Sequence, residues 1–156
     1  MDIKKHITAL GFVPKDGTNG IYHKIYVDYA IEIDFEKQSI NYGGGITADS
    51  KTTQNFSDAE NFVVLECVDR LLTKGYKPQN LILEKTWPSG HGTSGRLDIC
   101  VNREDGTPYM LIECKTYGKE YNKELARIRK DGGQLFTYFQ LSGGKADVLM
   151  LYASEL

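Results

Sequence analysis

The sequence predicts an α/β domain, a mixed β-sheet flanked by helices, preceded by a short helix and a set of antiparallel strands. Three observations carry that expectation. Apolar residues recur at helical spacing over residues 57–75, they alternate in strand fashion over residues 21–42, and two strand-like runs flank an Asp105-Gly106 turn. With 156 residues, 40% of them apolar, and with ten Tyr and six Phe, the chain is able to bury a core as one folded unit.

Taken in order, Ile3, Ile7 and Leu10 share one face of a helix over residues 2–10, which Gly11 stops. A polar loop covers residues 14–20. Then Tyr22, Val27, Ile31, Ile33, Phe35 and Ile40 are separated by polar residues, which predicts two or three antiparallel strands. Gly43-Gly44-Gly45 and the Thr-, Ser- and Asn-rich residues up to Asn55 form a connector. It divides an accessory part, residues 1–50, from a main part, residues 51–156. Ser57 is placed to cap the next helix, with Glu60 completing an S-x-x-E capping box. Phe62, Leu65, Val68, Leu71 and Leu72 form its apolar stripe, and Gly75 ends it. Strands are expected over residues 81–87, 96–102 and 109–115. A basic segment, residues 119–130, leads to a helix over residues 134–141 and a buried apolar strand over residues 146–152. The main part reads helix-β-β-β-helix-β. A closing strand that ends so near Leu156 points to a domain of a longer protein.

Composition excludes several classes of function. Lys and Arg number 19 against 21 Asp and Glu, a net charge of -2, so the chain does not grip nucleic acid by its overall field. Any DNA contact has to be local. No apolar run approaches the roughly 20 residues that cross a bilayer, and Met1-Asp2-Ile3-Lys4-Lys5 is followed by no apolar signal region, so a cytoplasmic location without membrane contact is expected. Cys67, Cys100 and Cys114 lack C-x-x-C spacing, which argues against disulfides and structural zinc.

The hairpin carries the chemistry. If Asp105 and Gly106 are its two central residues, paired positions sum to 211, which sets Asp98 opposite Glu113 and Arg96 opposite Lys115. Leu97, Ile99, Val101, Met110, Ile112 and Cys114 then fall on one apolar face, and Asp98, Glu113 and Lys115 on the other. Two opposed carboxylates repel without compensation, and a hard divalent cation supplies it through oxygen ligands. A lysine two residues beyond Glu113 shares that face. It can orient or deprotonate a water, or stabilise charge on a phosphate. Gln134 and Tyr138, at i and i+4, project from one face of the next helix.

Gly95-Arg96-Leu97-Asp98, Ile112-Glu113-Cys114-Lys115 and Gln134-Leu135-Phe136-Thr137-Tyr138 together resemble the PD-(D/E)XK nucleases. More narrowly, they resemble the N-terminal nuclease domain of type I restriction enzyme restriction subunits, over roughly residues 57–152. The resemblance implies a restriction-endonuclease-like core and a Mg²⁺-dependent DNA endonuclease module of a restriction system, with Mn²⁺ able to replace Mg²⁺. It implies that Asp98, Glu113, the Cys114 carbonyl and an acid on the first main helix hold the metal. Glu60 is the best match for that acid and Glu66 the second. Lys115 would assist catalysis, and Gln134 and Tyr138 would position DNA or the site. DNA and the motor, methylase or specificity parts of a restriction system are the implied partners. The leading Pro of the motif is replaced by Leu97.

Each signal has a plainer reading. A D-x14-E-x-K pattern arises on any hairpin with a charged face. Glu60 needs no role beyond capping. Glu84 is either a supporting acid or an edge charge, and His91 either faces substrate or is simply exposed. Lys119, Lys123, Arg127, Arg129 and Lys130 either contact DNA phosphates or form a solvated helix face. The rival functions are a non-catalytic DNA- or protein-binding module on the same fold and a repair-type nuclease of the same superfamily.

Overall fold

The computed structural model describes residues 2–88 and 95–155; His91 lies outside the described residues. The architecture is mixed α/β, with two sheets and four helices among the described residues. Helix α1, Ile3–Ala9, is capped by the Asp2 side chain, which accepts from Lys5 N. Strands β1 (Val13–Pro14), β2 (Ile21–Tyr26), β3 (Tyr29–Asp34) and β4 (Ser39–Asn41) form an antiparallel sheet in chain order. The second sheet has the order β5-β6-β7-β8-β9, with β5 at Thr47–Ala48, β6 at Leu81–Thr86, β7 at Arg96–Asn102, β8 at Pro108–Thr116 and β9 at Val148–Ser154. Its inner strands are antiparallel, whereas β5 and β9 run parallel to their neighbours. The connector therefore contributes an edge strand, too short at two residues to show in the sequence pattern.

Helix α2, Glu60–Thr73, packs between the sheets. One core cluster joins Ile31, Ile33 and Ile40 of the small sheet, Phe62, Leu65, Val68 and Leu72 of α2, and Leu83, Ile99 and Ile112 of the large one. Burying each such side chain contributes about 1.5–3 kcal/mol. The helix buries polar residues too. Asp69 meets Lys24 Nζ at 2.5 Å and Tyr26 of β2. Glu66 accepts from Tyr152 Oη at 2.8 Å and from Ser154 Oγ at 2.5 Å on β9, and from Arg70. Glu66 thus ties α2 to β9.

Four expectations are corrected. First, the capping box does not form. Ser57 Oγ bonds Asn55 Oδ1 at 2.5 Å, Asp58 Oδ1 accepts from Glu60 N at 2.9 Å, and α2 starts at Glu60 with its carboxylate free to leave the helix end. Second, the basic segment is a helix of its own, α3 (Lys119–Asp131), so two helices separate β8 from β9. Its apolar positions, Tyr121, Leu125 and Ile128, are too few within a charged run to stand out. Gly132, at φ +86°, ends α3 and begins α4 (Gly133–Leu141). Third, β9 is a half-buried edge strand, with Leu149 exposed.

The fourth correction concerns the hairpin. Arg103 N donates to Thr107 O, so three residues close the loop, with Gly106 at φ +80°. That shifts pairing by one, and Tyr109 is an extra residue between the pairs Asn102↔Pro108 and Val101↔Met110, which shifts it back. The pairs Val101↔Met110, Cys100↔Leu111 and Ile99↔Ile112 hence keep the expected sum of 211. The faces hold only as far as Ile99. Leu97 packs with Cys100, Leu111, Leu135 and Tyr138 beneath α4, on the face away from α2. The β6–β7 ladder skips the step between Leu83↔Ile99 and Lys85↔Leu97, where Glu84 has φ +51°. This left-handed residue turns the backbone and lets the alternation slip.

Candidate active site

Where the β7–β8 pairing stops, a side chain replaces the ladder: Asp98 Oδ2 accepts from Cys114 N at 2.7 Å. Asp98 is thus fixed beside the β8 segment that bears Glu113, Cys114 and Lys115. The Lys115 side chain turns back over its own strand, with Nζ 2.8 Å from Glu113 Oε1, 2.9 Å from the Cys114 carbonyl and 3.0 Å from Glu60 Oε1. One ammonium therefore gathers two carboxylates and a carbonyl from β8 and α2. Glu113 Oε2 is buried and has no hydrogen-bond partner among the described residues. The Cys114 thiol points into the core, as the alternation predicts.

The electrostatics follow from burial. Asp98 is pushed up to about 8, first by burial and then by the neighbouring Glu113 charge, against the pull of Lys115. Glu113 and Glu60 are also raised, in both cases chiefly by burial and again opposed by Lys115. Burial works against the Lys115 ammonium, but Glu113 and Asp98 outweigh it and hold its pKa above the ordinary lysine value. The cluster has more acid than cation, which suits a site able to take up a metal ion.

The donor set can be tested against a hard cation. Carboxylates and a carbonyl are the right chemistry, and an orphaned, buried Glu113 oxygen marks an unfilled coordination need. Among the described residues, however, no three His, Cys, Asp or Glu side chains already converge as a ligand set. The ammonium of Lys115 stands among the acids instead. Asp98, Glu113 and the Cys114 carbonyl fit a metal in type, with Glu60 close by, once Lys115 yields its place.

Beside Asp98 lies a cleft of about 200 Å³, lined also by Glu60, Asp58, Asn61, Thr52, Thr53 and Arg96. Asn61 fixes one wall, its amide donating to Thr52 O at 3.2 Å and to Asn55 O at 3.0 Å.

The other expected site residues divide. Tyr138 is buried and its hydroxyl donates to Arg96 O at 2.9 Å, so it braces the start of β7 and does not face the cleft. Burial first, then the nearby Glu113 and Asp98 charges, pushes it up to about 12. Gly95 makes this possible, since a Cβ there would lie 2.5 Å from Tyr138 Cε1. Gln134 is exposed and lines a separate cleft with Arg127, Lys130 and Thr137, so the structure does not bring Gln134 and Tyr138 to one point. Glu66 lies on the β9 side of α2, away from Lys115. Lys119, Lys123, Arg127, Arg129 and Lys130 all lie on α3, where Lys123, Arg127 and Lys130 reach solvent. Helical geometry places four of the five on one side and Arg129 apart.

Three residues near the site carry more than the sequence indicates. Glu84 is fully buried, which excludes the edge-charge reading. Glu124 is buried, accepts from Gln134 N at 3.3 Å and pairs with Arg127 at 3.3 Å. Its place one turn before Ile128 on the apolar side of α3 was the available signal. Arg96 has none beyond its position two residues before Asp98.

Residues 65–131 match the family model of the type I restriction enzyme R protein N terminus (HSDR_N). The resemblance read from the sequence is borne out over this stretch. The restriction-enzyme match contains Asp98, Glu113, Cys114 and Lys115 together with α3, and it leaves Glu60, Gln134 and Tyr138 outside. No curated protein matches the chain. Among the described residues no helix is long and apolar enough to cross a membrane.

Proposed function

We propose that the chain is a Mg²⁺-dependent DNA endonuclease module of a restriction system, hydrolysing phosphodiester bonds. The observation that carries this reading is Lys115, bonded to Glu113, the Cys114 carbonyl and Glu60, beside an Asp98 that is held by Cys114 N and lines a cleft with Glu60; Asp98, Glu113, Cys114 and Lys115 lie inside the stretch related to restriction enzymes. Asp98, Glu113 and the Cys114 carbonyl would hold the ion, with Glu60 contributing from α2. When bound, Mg²⁺ supplies Lewis-acid stabilisation of the phosphate and a lowered pKa for bound water. Cys114 N keeps the Asp98 carboxylate oriented. Lys115 is held as a cation by its acidic neighbours, and in that form it stabilises charge on a phosphate oxygen as water adds to phosphorus and the ester oxygen leaves. Tyr138 and Glu84 support Arg96 at the cleft edge. The basic side of α3 offers phosphate contacts that offset the chain's negative charge locally.

One observation favours the rival reading of a non-catalytic module: Lys115 already neutralises the acids that the metal would need. Cleavage decides between them. The wild-type chain, assayed on supercoiled DNA with Mg²⁺ or Mn²⁺ together with the remaining parts of a restriction system, is expected to cut, and Asp98→Ala and Lys115→Ala are expected to lose at least about a hundredfold in rate. Variants that cut as fast as the wild type would sink the assignment.

A further inference from the structure

The cleft beside Asp98 is lined by three acids, Asp58, Glu60 and Asp98, and by one cationic side chain among the described residues, Arg96. Arg96 and Asp98 are two apart on β7 and reach the same cleft. Beneath Arg96 lies Glu84, whose carboxylate is 0% exposed against 46% for the arginine side chain, with Arg96 Nε 3.3 Å from Glu84 Oε1. The other contacts of that carboxylate lead to the same place: the Thr52 hydroxyl bonds Oε1, and Thr53 N donates to Oε2 at 3.3 Å. Thr52 and Thr53 line the cleft.

Glu84 is an unfavourable residue for the middle of a sheet. It buries a charge, and its φ of +51° is a left-handed conformation that a non-glycine side chain rarely adopts. An apolar residue of similar size would suit the core better. Strain of this kind gathers where a site has to be held in one geometry, and here every partner of the carboxylate belongs to the cleft wall. The backbone of Arg96 is fixed as well, its carbonyl accepting from Tyr138. The residue is thus anchored at main chain and side chain while its guanidinium remains half exposed. With Nε turned to Glu84, the planar group can present its outer N–H groups to two oxygens of a phosphate, a geometry that lysine does not reproduce.

We propose that Arg96 binds a backbone phosphate of DNA in this cleft and that Glu84 is its positioning residue. The inference rests on the nuclease reading and adds a phosphate-binding group that the metal-site residues do not supply. It is tested by fluorescence anisotropy of the full chain on a labelled 30-base-pair duplex, titrated with salt from low ionic strength, in Ca²⁺ so that binding is read without cleavage. Arg96→Ala is expected to weaken binding about tenfold and to lower the salt slope by about one. Arg96→Lys is expected to restore the slope but not the full affinity. Glu84→Gln is expected to weaken binding about threefold in the wild-type background and to add nothing when Arg96 is already Ala, because it acts through that side chain. Wild-type affinity and slope in Arg96→Ala would overturn the proposal, as would the absence of duplex binding by the unmodified chain at low salt. If Arg96→Ala does not fold, Arg96→Lys decides, and wild-type affinity there overturns it. Mn²⁺ binding by the unmodified chain is read in parallel. Its absence counts against the nuclease reading, whereas DNA binding indifferent to Arg96 counts against this inference alone.

Discussion

Replacing Asp98 with Asn removes a charge from the acid cluster and keeps the shape, because the Asn carbonyl can still accept from Cys114 N. In the metal-free chain the carboxyl is pushed from 3.8 to about 8, chiefly by burial and then by Glu113. An acid whose folded pKa is raised contributes its full stability below its unfolded pKa and loses it as pH rises towards the folded one. Every tenfold gain in proton affinity on folding corresponds to about 1.4 kcal/mol, which sets a ceiling of roughly 4 kcal/mol of destabilisation at pH 7. Lys115 and local relaxation absorb part of this, and Asp98→Asn is expected to stabilise the metal-free chain by about 1–2 kcal/mol at pH 8. Urea denaturation in EDTA at pH 4, 6 and 8 measures the difference, which should grow with pH. With Mn²⁺ added, the order should reverse, since the wild type gains the binding energy and the variant does not. A variant less stable than the wild type at pH 8 in EDTA would show that Asp98 serves the fold, and the reasoning would be refuted.

Gly95→Ala brings a Cβ within 2.5 Å of Tyr138, so the tyrosine must move and thermal stability should fall by about 1–3 kcal/mol, more than for Tyr138→Phe, which loses only the bond to Arg96 O, about 1 kcal/mol. Burial raises the Glu66 carboxyl, but bonds from Ser154, Arg70 and Tyr152 outweigh it and hold the pKa below 4.5. Its contribution is present above that value and lost as pH falls through the folded pKa, so Glu66→Gln should be clearly destabilising at pH 7 and progressively less so as the pH is lowered in denaturant titrations. On α3, Lys119, Lys123, Arg127 and Lys130 share one side. A Lys123→Ala, Lys130→Ala double variant should therefore reduce the salt slope of DNA binding by about two, while Arg129→Ala leaves it unchanged.

Much of the large sheet was legible because its strands follow alternation, and the hairpin register could be read from a turn as far as Ile99↔Ile112; beyond that pair Asp98 accepts from Cys114 N, and the expected pairs Asp98–Glu113 and Arg96–Lys115 are not formed. The assumed two-residue turn was incorrect, and the register survived because the Tyr109 bulge cancels the longer loop. Local rules also misled at Ser57, where the capping motif is present but Asp58 takes the helix N–H and Glu60 goes to Lys115. Tertiary contact overrode local propensity there. Leu97 fell on the other face because a left-handed Glu84 interrupts the ladder, and no single-residue preference announces such a conformation at a glutamate. The Gln134–Tyr138 pair was visible as a spacing, yet spacing does not say that a neighbouring strand offers Tyr138 a carbonyl. A buried acid such as Glu84 is hidden for a related reason: what admits it to the interior is a set of partners distant in sequence, Thr52 and Thr53.

The central claim is that Asp98 and Glu113 hold a divalent metal. Titration calorimetry of the chain with Mn²⁺ tests it without requiring the isolated chain to cut DNA. Mn²⁺ is expected to bind the wild type, and binding is expected to be lost in Asp98→Ala and in Glu113→Gln. No heat of binding in the wild type, or equal binding in both variants, would contradict it.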